Sequence, residues 1–129
     1  EGILAGQGDV GIVNSYYFGR LKSKNPQLKL KLFWPNQESE GVHVNISGIG
    51  LVKGSRHQAE AIQLVEWLSS KSAQGMFAGL NMEYPVNTEV QPAPEVASWG
   101  SFKANTRNMK DAGTHQKQAV KLMQSVGYK

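Results

Sequence analysis

Residues 8–17 read Gly-Asp-Val-Gly-Ile-Val-Asn-Ser-Tyr-Tyr, and this segment joins two kinds of secondary structure. The apolar run at 9–14 follows a Gly-Asp turn, which is typical of a strand buried on both faces of an α/β sheet. Asn14-Ser15 then offers a helix N-cap, so we expect a short helix over 16–23, which Asn25-Pro26 ends. The segment therefore predicts a strand that turns directly into a helix.

Further strands and helices alternate along the rest of the chain. Leucine and lysine alternate over 28–33, which predicts a half-buried strand, and the β-rich stretch 43–52 is interrupted by glycines. Caps and apolar stripes predict three more helices: one behind a capping box at Ser55-x-x-Gln58, one over about 72–80 and one over about 116–125. Strands that alternate with helices indicate α/β architecture. The strands are too few for a complete doubly wound domain, so we expect the chain to be part of a larger fold.

Composition excludes several classes of protein. The chain has 129 residues, of which 40% are hydrophobic and 19% charged, so it is neither disordered nor built to cross a bilayer. It has no cysteine, which excludes disulfides, thiolate zinc sites and cysteine nucleophiles. The three histidines are too widely spaced for a local zinc motif. The net charge of +4 is scattered, which does not favour nucleic-acid binding. The opening residues lack an initiator Met and a signal peptide, so we expect the sequence to start inside a longer one.

Tyr16 and Tyr17 are the strongest candidates for a binding site, because ligands of open α/β sheets bind beyond the carboxyl ends of strands. A helix N-terminus there also stabilises negative charge. A bound metal lowers the pKa of a coordinated acid, and phenolate is a hard oxygen donor, so the ion that suits this pair is Fe(III). Neighbouring side chains point about 100° apart on a helix, so both reach one ion only if the backbone between them is irregular. The alternative is that one tyrosine packs in the core and the other lies on the surface.

Catalytic arrangements have little support in the sequence. Asp9, Ser15 and His43 could be drawn as a triad, but no nucleophile elbow surrounds Ser15. The glycines of Gly6-x-Gly8 precede a strand instead of following one, which is the wrong order for a dinucleotide-binding loop. We therefore expect a binding function without enzymatic activity.

Several stretches of the chain resemble the periplasmic ferric-ion-binding proteins, which are the soluble receptors of iron(III) ABC importers. The most specific are the tandem tyrosine and the run His43-Val44-Asn45-Ile46-Ser47-Gly48. The resemblance covers nearly the whole chain, and the stretches that carry it are 8–17, 35–37, 41–48, 83–87, 98–103, 120–123 and 126–129. It implies an α/β fold with two lobes, of the type II periplasmic-binding class, with iron held in the cleft. This chain would hold only part of that fold.

The resemblance also assigns roles to residues. The tandem tyrosines of the family are iron ligands, which carries over to Tyr16 and Tyr17. Asn14 matches a residue that contacts a co-bound anion in some members, so the implied cargo is Fe(III), with a synergistic anion such as carbonate, phosphate or citrate. Arg20 lies one turn beyond the pair and is placed by its spacing to balance phenolate charge. The remaining iron ligands come from parts of the family's fold that precede this sequence.

The resemblance divides the chain between the two lobes. Residues 1–45 would belong to the second lobe with the tyrosine site, 46–97 would cross into the first lobe, and 98–129 would return with the C-terminal helix. The implied function is capture of ferric iron in the periplasm for an ABC importer. The implied partners are the permease and the missing N-terminal lobe, with neither nucleic acid nor membrane insertion. Two alternatives stay open: a binding protein of the same fold for another anionic solute, and an inactive structural fragment.

Overall fold

The computed structural model describes residues 1–128 and contains five helices within them. They are α1 (Ser15–Lys24), α2 (Gln58–Leu68), α3 (Lys71–Asn81), α4 (Pro94–Ala97) and α5 (Met109–Ser125). None of these helices combines the length and apolar character that crossing a bilayer requires. The chain divides into two compact units. The first unit is Glu1–Phe33 with Ile46–Ser101, and the second is Trp34–Asn45 with the chain from Phe102 onward.

The helices α1 and α3 confirm their sequence predictions to within one residue at each end. The last turn of α1 contains Lys22 and Lys24, which suit the negative end of the helix dipole. Ser70 caps α3, since its hydroxyl accepts a hydrogen bond from the Ala73 N–H at 3.3 Å. The local signals of cap and stop residue are therefore sufficient for these two helices.

Two other helices differ from the sequence prediction at their starts, and a third was not predicted. The predicted capping box of α2 is wrong, because the Ser55 hydroxyl accepts from the His57 N–H at 3.2 Å, ahead of the helix. Helix α5 begins at Met109 rather than at 116, since Asn108 caps it by accepting from the Lys110 N–H at 2.9 Å. The short helix α4 is absent from the sequence prediction. It starts with Pro94, a residue that is favoured in the first turn.

The predicted strands at 9–14, 28–33 and 43–52 are not strands in the part of the chain that the structure describes. The β-type pairing present there is an isolated parallel bridge between Val42 and Ala104. A strand requires hydrogen bonds to a neighbouring strand. Within residues 1–128, no neighbouring strand lies beside these segments. Val10 is 84% exposed and Ile12 is fully exposed. The prediction of a strand buried on both faces is therefore wrong for residues 1–128 taken by themselves.

Helix α1 is fixed in the first unit by a close approach at Gly19, which is buried. A Cβ atom at this position would lie 2.9 Å from Met82 Cβ and 2.9 Å from the Trp99 ring. Real Cβ atoms do not approach other atoms so closely, so only the hydrogen of glycine fits. The packing of this one residue sets the distance between α1 and the end of α3.

Trp99 is the centre of the aromatic cluster that supports α1. The Phe18 and Tyr84 rings meet its indole edge-on, with centroid separations of 6.1 and 6.3 Å. The indole N–H donates a hydrogen bond of 3.0 Å to the Glu95 carboxylate. Edge-to-face aromatic contacts add stability beyond the apolar area that they bury. The cluster therefore holds the helix at whose start the two candidate tyrosines lie.

Replacing Gly19 with alanine is expected to destabilise the protein by about 1–2 kcal/mol, because overpacking against Met82 and Trp99 outweighs the gain in helix propensity. Gly75→Ala in α3 is the matched control, since a Cβ there meets nothing within 4 Å. This control should gain about 0.5–1 kcal/mol. Urea denaturation measures both changes. A stabilised Gly19→Ala variant would contradict the packing of α1.

Contacts between its two chain segments hold the second unit together. The Trp34 and Phe102 rings stack with centroids 4.5 Å apart. The Gln37 side chain accepts from the Lys103 N–H at 2.6 Å and donates to the Lys103 carbonyl at 3.3 Å. Gly41 has φ +88°, and a Cβ there would lie 2.6 Å from the Lys103 carbonyl oxygen, so this turn requires glycine. The assignment of 1–45, 46–97 and 98–129 to two lobes stays a prediction.

Candidate metal centre

The start of α1 brings Asn14 and Tyr16 into direct contact. Asn14 occupies the N-cap position with an extended backbone, but its side chain makes no hydrogen bond to the helix. Its Nδ2 instead donates to the Tyr16 hydroxyl at 3.1 Å. The residue therefore has the predicted cap position, while its amide holds the phenol oxygen in place.

Tyr16 and Tyr17 lie side by side in the first turn of α1. Their ring centroids are 4.5 Å apart and their planes are inclined by 50°. Tyr16 is half-buried and Tyr17 is 54% exposed. Both residues belong to the helix, and their rings are in contact there without an irregular backbone between them. Whether both phenol oxygens reach one ion stays a prediction. Rotation about the side-chain torsions is enough to bring them together.

The surroundings of Tyr17 raise the pKa of its phenol above the ordinary value. A hydrogen bond with Tyr16 is the largest cause that raises the pKa of Tyr17, followed by the charge of the Tyr16 phenolate and by slight burial. The nearby Arg20 opposes these effects and lowers the pKa. The Arg20 guanidinium carbon is 5.1 Å from the centroid of the Tyr16 ring, a cation–π distance. Tyr17 consequently keeps its proton at neutral pH unless a cation replaces it.

The other acidic and imidazole groups of the described residues do not form a metal site. No group of three or more His, Cys, Asp or Glu side chains in residues 1–128 is arranged to hold a metal ion. The four residues singled out by sequence, Asn14, Tyr16, Tyr17 and Arg20, are the ones that the structure brings together. Sequence reasoning missed Gly19, Met82 and Trp99, which support the helix. Gly19 is an isolated glycine inside a short helix, and this feature of the sequence could have indicated the close packing.

Comparison with known proteins gives a consistent result. Residues 4–104 match the family of bacterial extracellular solute-binding proteins. Iron uptake protein A1 of Synechocystis sp. is 38% identical over 135 residues, which cover 100% of this chain and 38% of that protein. The Trichodesmium protein IdiA (FutA), solved in complex with iron and citrate, has a TM-score of 0.90 and 42% identity, over 99% of this chain and 42% of its own. The ferric binding protein from Campylobacter jejuni has a TM-score of 0.90 and 33% identity, over the same shares of the two chains.

The chain belongs to the bacterial extracellular solute-binding protein family. Its backbone follows part of the type II periplasmic-binding fold of the solved neighbours, which confirms the predicted fold class. The chain spans about two fifths of the length of the relatives that it matches. The predicted strands thus follow the path of a known α/β fold, although residues 1–128 do not complete its sheets.

Proposed function

We propose that Tyr16 and Tyr17 are phenolate ligands of a ferric ion in an extracytoplasmic solute-binding protein that serves an ABC importer. The observation that carries the proposal is the pair of phenol rings, 4.5 Å apart at the start of α1. The names of the relatives, which concern iron uptake, ferric binding and a complex with iron and citrate, support it. The function is capture of the ion in the periplasm and its transfer to the permease, without catalysis.

The chemistry of the pair suits a trivalent cation. Each phenolate is a hard, singly charged oxygen donor, and hard donors select hard ions. When Fe(III) replaces the two phenol protons, the repulsion between neighbouring phenolates is offset by attraction to the metal. Arg20, next to Tyr16, further balances this negative charge. An octahedral ion takes about six donors, so about four come from the remainder of the full-length protein or from a bound anion.

Asn14 would bind that anion. A primary amide has two N–H groups, and one of them is donated to the Tyr16 hydroxyl. The second N–H can donate to an oxygen of carbonate, phosphate or citrate bound beside the ion. Asn14 would thereby connect one iron ligand to the anion that completes the coordination.

The proposal is tested by titrating the full-length protein with ferric citrate and recording the visible spectrum. Coordination by tyrosinate gives a charge-transfer band, which is the expected result. Equilibrium dialysis with citrate or phosphate, in the absence of iron, tests the rival function. Anion binding without iron binding would support a carrier for another anionic solute, and binding of neither by the full-length protein would contradict the proposal.

Acidification is expected to release the iron while the fold persists. Metal ligands must be deprotonated, so iron binding releases protons and weakens as the pH falls. No polar or charged residue is buried in the part of the chain that the structure describes, so mild acid has no buried charge there to disrupt. The visible band should decline as the pH is lowered from neutral to mildly acidic, with unchanged far-UV circular dichroism. Constant iron occupancy over that interval would contradict phenolate coordination.

A further inference from the structure

Helix α5 has a row of three lysines along one face. At about 100° per residue, Lys117 and Lys121 lie within about 20° of Lys110 around the helix axis. All three are exposed, and no ion pair joins them to another residue among 1–128. With a rise of about 1.5 Å per residue, the row is about 16 Å long. Asp111 is the one acidic residue in the sequence of α5, and it lies about 100° away from Lys110.

The opposite face of α5 is apolar. It consists of Ala112, Ala119 and Met123, which lie about 180–220° from Lys110. An apolar stripe on a helix normally packs against the protein, and lysine is almost never fully buried. In the full-length protein we therefore expect the apolar stripe to be covered and the lysine row to face solvent.

We propose that the lysine row of α5 docks the protein onto anionic lipid headgroups. Lysine is depleted at the centres of protein–protein interfaces, whose energy comes mainly from tryptophan, tyrosine and arginine anchors. This face has none of those anchors. Evenly spaced lysines along an exposed helix complement the charge of a flat anionic membrane surface. Such docking would keep the protein near the membrane whether or not a ferric ion is bound.

Vesicle co-sedimentation of the full-length protein tests the proposal at low salt. The vesicles are about one third phosphatidylglycerol in phosphatidylcholine, with pure phosphatidylcholine as the comparison. The variant Lys117→Gln/Lys121→Gln should partition about 25-fold less, or about fivefold per lysine removed. The control Lys29→Gln/Lys31→Gln removes the same charge from two other exposed lysines and should change partitioning much less.

The comparison with the Lys29/Lys31 variant distinguishes docking by α5 from adsorption that depends only on net charge, because both variants remove two charges. Two further measurements test whether the lysine charges carry the binding. Lys117→Arg/Lys121→Arg should retain binding, because it keeps both charges. Binding should weaken steeply as added salt shortens the Debye length to below about 10 Å. Equal losses in the Lys117/Lys121 and Lys29/Lys31 variants, or equal partitioning onto both kinds of vesicle, would overturn the proposal. The ferric titration of the α5 variants should match that of the parent protein, so failure here is distinct from failure of the iron site.

Discussion

Tyr16→Phe and Tyr17→Phe are each expected to weaken ferric binding by roughly 100-fold or more and to bleach or shift the visible band. Even the partners that merely orient metal ligands contribute about 10–100-fold to affinity, and each of these changes removes a ligand outright. Phenylalanine retains the ring, so the contact between the neighbouring aromatic side chains at 4.5 Å can persist. The loss is therefore one of charge and coordination, which a ferric citrate titration of the full-length protein measures directly.

Tyr128→Phe is the matched control for this experiment. It removes the same hydroxyl from a tyrosine that is 68% exposed and lies outside α1. Its spectrum and affinity should equal those of the parent protein. If Tyr16→Phe and Tyr17→Phe also retain the parent's colour and affinity, the assignment of the ligands is wrong.

The positions of the site residues at the start of α1 could be predicted because they depend on local sequence. Asn14 at the cap, the helix behind it and the stop at Asn25-Pro26 follow from preferences of neighbouring residues, and the structure has all three. The contact between the tyrosine rings was not predictable in this way, because neighbouring side chains point about 100° apart on a helix. The hydrogen bond from the Asn14 amide to Tyr16 could not be predicted from the sequence. The same side chain could equally have capped the helix.

The features that could not be predicted depend on residues distant in sequence. The close approach at Gly19 involves Met82 and Trp99, which no local pattern connects to α1. The apolar run at 9–14 has the composition of a buried strand, but burial requires neighbouring strands, and none lies beside it in residues 1–128. Local pattern thus indicated the α/β class correctly, while the β-ladders depend on more of the fold than the described residues hold.

The polypeptide 1–129 expressed by itself is expected to bind iron far more weakly than the full-length protein. It contributes two phenolate donors, and about four further positions on an octahedral ion would be left to water or buffer. At a minimum of about tenfold for each missing donor, the affinity falls by roughly ten-thousandfold. Excess citrate should then remove the ion completely. The missing part of the fold would also exclude solvent and lower the local dielectric, which strengthens attraction between charges.

The same polypeptide is expected to self-associate, because several of its apolar segments are exposed to solvent. Val10 and Ile12 are exposed on a segment without a strand partner, and Phe33 is 80% exposed at the end of another. Unpaired extended backbone and contiguous apolar surface both favour association between copies. Size-exclusion chromatography with a parallel ferric citrate titration examines both expectations at once. A monomer that holds iron against excess citrate would show that residues 1–129 form a complete site, and that the ligands inferred to lie elsewhere in the fold are not needed.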